Sequence, residues 1–400
     1  MIQLTFYLYF LIQIRRTWLN QDGEALAGFL SLRHNHVSIS QVGSETAIIK
    51  AVEHLSAPLD DLVLCHLKAV SAMNKNDALA IYNYQSSAVQ CLAKILQIQK
   101  EENWMLPVMN VMCLELRLSA IGAENSKYNK NIKHGEVLEK CAECLMACFR
   151  VCAADNRSSE EDTKRWGMLA LINQLLKVYF RINKLHLCKP LIRAIESSPY
   201  KDHFALAQQI TYKFFVGRKA MFDSNYKIAD EYLTYAFEHC HIQCTKNKRL
   251  ILTYLVPVKM LLGYMPKQSL LEKYNLMEFW ELMESVRKGD LRSLEGVMAK
   301  HEIFFIDAGI YLIVEKLKLI AYRNLFKKVY LALNTHQIPV QSLLIALQIN
   351  GMEDIDMDET ECLLANLIYE GKIKGYISYQ HKKLVISKQN PFPSLSTIVL

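Results

Sequence analysis

The run KIKGYISYQHKKLVISK (Lys372–Lys388) carries five lysines and no acid, and within it helical periodicity gives way to the pattern of a small β-hairpin. Directly upstream, YRNLFKKVYLALN (Tyr322–Asn334), VQSLLIALQI (Val340–Ile349) and DETECLLANLIYEG (Asp358–Gly371) each repeat apolar residues at helical spacing. Three short helices followed by a hairpin describe a winged helix. Everything before them reads as helix after helix. The expected fold is therefore mainly α, a TPR-like helical-repeat array followed by a C-terminal winged-helix module with a small β-hairpin.

The array is read from paired periodic segments. LVLCHLKAVSAMNKNDALAIYNYQSSAVQCLAKILQIQ, from Leu62, breaks once at the polar Asn74-Lys75-Asn76-Asp77, as a helix–turn–helix of repeat type does. In Leu206–Cys240, the positions of Gly217, Phe222, Tyr226, Ala229, Tyr232 and Ala236 fall close to the small and aromatic positions of a tetratricopeptide unit. Small residues let helices approach closely, and aromatics fill the groove between them. Polar loops are expected at Gly122–His134 and Asp155–Thr163. Asp162 and Thr163 start a helix, Pro190 sits in a first helical turn, and Pro257 kinks or breaks the helix that contains it. Three more helices are expected in Leu270–Tyr322, the last bridging to the terminal module. The resulting division is an N-terminal helical segment (1–61), repeats (62–321), the winged helix (322–388, with supporting helices from about 205) and an extended tail (389–400).

At 51% hydrophobic and 22% charged residues, 400 residues suffice for a large core. The formal charge is +7, unevenly spread: Lys164–Ile195 and His241–Leu271 contain no acid. Such runs are either solvated helix faces or docking faces for a polyanion. Eleven cysteines in a long helical chain without a recognisable export signal fit a reducing compartment. The apolar start Met1–Ile14 is too short to span a bilayer and reads as a short core helix or a misassigned start, and no other segment looks apolar enough for a span.

Candidate chemistry is sparse. Cys141, Cys144, Cys148 and Cys152 recur at helical spacing with no Gly or Pro to fold a ligand loop, so they read as buried thiols. His239, Cys240, His241 and Cys244 are the right residue classes for zinc but lack a second ligand pair. Where a metalloprotease motif built on His239 and His241 requires Ser and Asp, the chain has Leu250 and Thr253. No catalytic or phosphate-cradling motif appears, and neither enzyme activity, cofactor nor metal is expected. The basic C-terminal segment is the strongest candidate. Lys372, Lys374, Lys382, Lys383 and Lys388, extended by Arg323, Lys327 and Lys328, are suited to a phosphate backbone, with Tyr376, Tyr379 and His381 between them to stack on bases. Protein contact or solvated lysines are the alternative.

Several segments resemble the PCI family: EENWMLPVM (Glu101–Met109), Lys164–Ile195, Tyr212–His241, Lys246–Pro266 and Ala321–Pro393. The similarity is to its transcription-and-export complex 2 branch and runs from Leu19 to Ser396, Met1–Ile14 departing from the family's polar start. It implies a non-enzymatic nuclear mRNA-export subunit acting at the nuclear pore, and also in the cytoplasm. Its partners would be a larger PCI-type scaffold, the germinal-centre-associated nuclear protein, and a small acidic disordered subunit shared with the proteasome lid. mRNA or DNA would be held through phosphate contacts, with no membrane involved. The small acidic subunit would meet Lys246, Lys248, Arg249 and Lys259. The family also supplies scaffold subunits of the proteasome lid, the COP9 signalosome and a translation initiation factor, which make protein contacts only.

Overall fold

The computed structural model describes residues 2–34, 45–98, 103–126, 133, 135–156 and 161–398. The chain forms two compact units, Met1–Tyr212 and Lys213–Leu400.

In the first unit, α1 (Ile2–Leu19) contains the described part of the apolar start. Phe10, Leu11 and Ile14 share its buried face, with the Phe10 ring edge-on to Phe29 at 6.1 Å and stacked on His66. After α2 (Gly23–Phe29) and α3 (Glu45–Val52), α4 (Leu59–Asn74) and α5 (Ala78–Ile98) meet at the expected turn. Asn76 takes the left-handed conformation there, and Asp77 Oδ1 accepts the Ala80 N–H at 3.0 Å to cap α5. Next comes α6 (Leu106–Asn125), which continues through the first residues of the expected Gly122–His134 loop, most of the remainder lying outside the described residues. By length and composition alone α6 could cross a membrane, with a mean hydropathy of 1.3, so the expectation that no other segment is apolar enough does not hold. In the fold it is a core helix: Met109, Met112 and Leu116 are buried.

The four cysteines of α7 (Glu136–Ala153) lie on its buried face, and burial pushes the Cys141 and Cys152 thiols up to about 12. Asp155 Oδ2 accepts the Lys164 N–H, and Thr163 caps a 3₁₀ turn that leads into α8 (Met168–Arg181). Pro190 stands in the first turn of α9 (Cys188–Glu196).

α10 (Leu206–Phe222) leads into the second unit, followed by α11 (Tyr226–His239) and α12 (Thr245–Leu261). A Cβ on Gly217 would lie 2.7 Å from Leu233 Cγ, so this glycine is what lets α10 and α11 approach as repeat helices do. Ala229, Leu233 and Ala236 complete that contact, all fully buried. α12 runs unbroken through the buried Pro257, so of the expected kink or break the break does not occur. Tertiary packing holds the helix although one backbone N–H is missing.

Five short helices follow, α13 (Gln268–Lys273), α14 (Glu278–Lys288), α15 (Leu291–Lys300), α16 (Glu302–Asp307) and α17 (Tyr311–Glu315), more finely divided than the three expected. The winged helix then opens with α18 (Leu317–Leu333), β1 (Gln337–Pro339) and α19 (Val340–Ile349). It closes with α20 (Met357–Tyr369), β2 (Gly375–Ser378) and β3 (Lys383–Ile386). Asp356 and Glu359 form a capping box at the start of α20. The expected hairpin is two strands of a three-stranded antiparallel sheet, ordered β1-β3-β2. Ile338 pairs with Leu384 and Tyr376 with Val385, a register that sends Ile338, Leu384 and Ile386 into the core and leaves Tyr376 outside. The tail is pinned: Lys374 N donates to Pro391 O, and Phe392 and Pro393 are buried.

Candidate nucleic-acid interface

The wing positions its lysines in two groups. Ser387 N donates to Lys374 O at 2.8 Å, which brings the exposed Lys374 and Lys388 together at the base of the hairpin. At the tip, Lys382 N donates to Tyr379 O and Lys382 adopts a positive φ, so Lys382 and Lys383 follow a tight turn. Lys382 Nζ lies 3.9 Å from the Tyr379 ring centroid and donates to Glu361 Oε1 at 3.1 Å. That hydrogen bond holds the Lys382 ammonium above its ordinary range. Lys383 Nζ reaches Gln337 Oε1 at 3.5 Å. Tyr376, Tyr379 and His381 are exposed among these cations, the two tyrosines at 63% and 70%. The set combines point charges with exposed aromatic rings, the two components of sequence-tolerant single-strand binding.

Two of the eight expected residues are buried. Lys372 is 5% exposed and paired with Glu370, because the chain reverses at Gly371 (φ 71°) and folds the side chain inward. Arg323 is 6% exposed and lies under the tail, donating to Phe392 O at 3.2 Å and Pro393 O at 2.6 Å. Burial lowers its pKa. Arg323 and Lys327 share helical spacing, yet one belongs to the packed stripe and the other to solvent. Lys327 and Lys328 are exposed on α18, with Lys328 in electrostatic reach of Asp290.

Periodicity alone missed the sign of α20. Its first turns carry Asp358, Glu359 and Glu361, with Asp358 and Glu359 exposed. A third helix inserted into a groove by its N-terminus would set these carboxylates against phosphates. The wing, not the helix, is the face with the right charge. The acids were readable in DETEC, but only the fold puts them beside the wing.

The residues expected to meet an acidic subunit disperse likewise. Lys246 is exposed at the start of α12. Lys248 is 8% exposed, its ammonium donating to Phe237 O at 2.7 Å and lying over the Phe237 ring. Arg249 donates to Asn275 O, and Lys259 pairs with Asp230 at 2.8 Å. Lys248 and Lys259 are thus committed within the fold. At the histidine–cysteine group, His239 stacks on Tyr235 and bonds its carbonyl, and among the described residues no cluster of three or more His, Cys, Asp or Glu is placed to hold a metal.

The PCI domain model matches residues 298–388, which include the whole winged helix. A zebrafish (Danio rerio) PCI domain-containing protein 2 is 54% identical over 380 residues, 95% of each chain. The Drosophila melanogaster homologue is 52% identical, covering 94% of this chain and 95% of its own. A Neurospora crassa protein named CSN12 homolog is 31% identical over 83% of each. Identity at this level along nearly the full length, with the matched domain folded as a winged helix, shows that the chain belongs to the PCI domain-containing protein 2 family.

Proposed function

We propose that the chain is a non-enzymatic scaffold and nucleic-acid-binding subunit of a nuclear mRNA-export complex that couples transcription to export at the nuclear pore. The observation that carries the reading is the wing: Lys374, Lys382, Lys383 and Lys388 around the exposed rings of Tyr376 and Tyr379, beside a helix whose acids disfavour groove insertion. Phosphate contacts from lysine give affinity without base reading, as a subunit handling many transcripts requires. The partners in this reading are a large PCI-type scaffold, the germinal-centre-associated nuclear protein, and a small acidic disordered subunit, in the nucleus and also in the cytoplasm. Titrating the full chain with labelled oligo-U at a series of salt concentrations tests it. About four lysine–phosphate contacts give a log–log slope near −3 on a single strand; a slope near zero rejects the reading.

A second reading is favoured by apolar exposure on the same module. Leu331, Ile345, Ile349 and Tyr369 are 64%, 45%, 72% and 92% exposed. Side chains of this size in solvent suit a protein partner, as in a PCI scaffold of a proteasome-lid, COP9 signalosome or translation-initiation type of complex. Under that reading the chain retains no RNA, so the same titration separates the two.

A further inference from the structure

In the first unit, α2 starts against the segment that leads into α6. A Cβ on Gly23 would collide with the Trp104 carbonyl oxygen, so glycine is what lets the two backbones approach this closely. Asn103 Nδ2 donates to Glu161 O at 2.7 Å, which ties the same segment to the stretch entering the 3₁₀ turn Lys164–Gly167. Three parts of the chain distant in sequence thus meet. Between them lies a cavity of 370 Å³, with Asp22, Glu24, Trp104, Pro107 and Trp166 among its lining residues.

Both indoles are half-buried and held by other rings. Trp104 meets Trp18 edge-on, with 5.4 Å between centroids and 75° between planes. Trp166 packs on Tyr200 at 5.0 Å and stands edge-on to Phe204 at 5.8 Å. Rings already fixed by neighbours lose little freedom when a ligand arrives. The charged groups among the lining residues are Asp22 and Glu24, both exposed carboxylates. Asp22 Oδ1 accepts the Ala25 N–H at 3.0 Å, and Glu24 makes no ion pair among the described residues. In a chain of formal charge +7, a cavity with indole walls and a wholly acidic charged lining is set apart from the rest of the surface.

Indole is the best aromatic partner for a cation, and the attraction grows as the cation leaves water. A nucleotide is poorly matched: its base has rings to stack on, but its phosphate would face Asp22 and Glu24. A quaternary ammonium would use the rings and offer both carboxylates no hydrogen-bond donor. A guanidinium uses both, stacking on an indole while its N–H groups fork onto carboxylate oxygens. We propose that this cavity takes an arginine side chain from a flexible segment of a partner protein, the guanidinium lying against the Trp104 and Trp166 indoles and donating to Glu24 and to the second oxygen of Asp22. The site is opposite in sign to the wing, uses none of its residues and does not depend on its role.

The test is fluorine NMR on the full chain carrying fluorotryptophan at Trp18, Trp104, Trp166 and Trp280, with signals assigned from Trp104→Phe and Trp166→Phe variants. The probe is the peptide acetyl-Gly-Arg-Gly-amide. The Trp104 and Trp166 signals should shift saturably at millimolar peptide, that of Trp280 in the second unit should not, and added salt should weaken the binding. The matching citrulline peptide, of the same shape without the charge, should bind about tenfold more weakly. Asp22→Asn keeps a side-chain oxygen for the Ala25 N–H and Glu24 is exposed, so the Asp22→Asn, Glu24→Gln variant should retain the parental thermal midpoint. It should bind the arginine peptide about fivefold more weakly. The proposal is overturned by the absence of a shift at Trp104 and Trp166, by citrulline binding equal to arginine, or by parental affinity in the double variant. It is equally overturned if the trimethyl-lysine peptide or uridine monophosphate binds more tightly than arginine at the same two signals, which would make the cavity a methyl-lysine or a nucleotide site.

Discussion

Arg323 and Lys327 lie one turn apart on α18, and their fates differ because only one of them is covered by the tail. Replacing Arg323 with Ala leaves the carbonyls of Phe392 and Pro393 without their donor and should cost about 2 kcal/mol, since hydrogen bonds to charged groups are worth about 1.5–3. Chemical denaturation should show that loss, and limited proteolysis should show earlier cleavage of the tail; Lys327→Ala should move neither. Asp290 offers a pH-resolved case. It caps α15 by accepting the Ser293 N–H at 2.9 Å and the Ser293 hydroxyl, bonds that hold its carboxyl below the ordinary 3.8. A depressed carboxylate pKa adds stability that is present above the unfolded value and is lost as pH falls through the folded one. Asp290→Ala should therefore cost about 1 kcal/mol near neutral pH, and urea titrations should show the difference from the parent shrinking as the pH drops below the ordinary value. At this scale the sequence was least informative. A lysine in KIKGY reads the same whether it is free, as Lys374 is, or folded against Glu370, as Lys372 is, because the contact depends on a backbone reversal at Gly371.

The helical elements were the most legible, because a buried face repeats every three to four residues and leaves its mark in the chain. The Asn74–Asp77 turn, the Gly217 contact and Pro190 in a first turn were readable from residue chemistry alone. Strand β1 was not: three residues, Gln337–Pro339, are too few to show alternation, and they are a strand only because β3 supplies their partners. Pro257 does not end its helix, since packing around α12 outweighs local preference. Three described residues of the apolar start are buried. Deleting residues 1–14 removes Phe10, Leu11 and Ile14 from the core, at about 2 kcal/mol for each side chain, and exposes their neighbours. The truncated chain should melt several degrees lower or aggregate; an unchanged thermal midpoint would make α1 peripheral. Gly289 gives a sharper test of the α14–α18 contact. It ends α14 with φ 62°, and a Cβ there would lie 2.6 Å from Leu325 N. Gly289→Ala should destabilise by more than about 1 kcal/mol in a thermal or urea melt.

For the whole molecule, the positive excess is modest, and its arrangement matters more than its size. Many cations in the acid-free stretches are internal fastenings: Lys164 on Leu96 O, Lys248 on Phe237 O, Lys259 on Asp230. Those that remain available include the wing lysines of the second unit. The run of lysines already pointed to the wing in the sequence; what the fold adds is which of the candidate cations are buried or paired, as Lys372 and Arg323 are, and which stay exposed. Oligo-U titration across salt concentrations, comparing the parent with the Lys374→Glu, Lys383→Glu, Lys388→Glu variant, tests whether the wing holds RNA. Lys374 and Lys388 are exposed and Lys383 is half-buried, and none of the three makes a charged pair among the described residues, so the circular dichroism spectrum should not change. The variant should lose most RNA affinity, and its log–log salt slope should become shallower by about 2, near 0.7 for each lost phosphate contact. Parental affinity with the parental slope would contradict RNA binding by the wing.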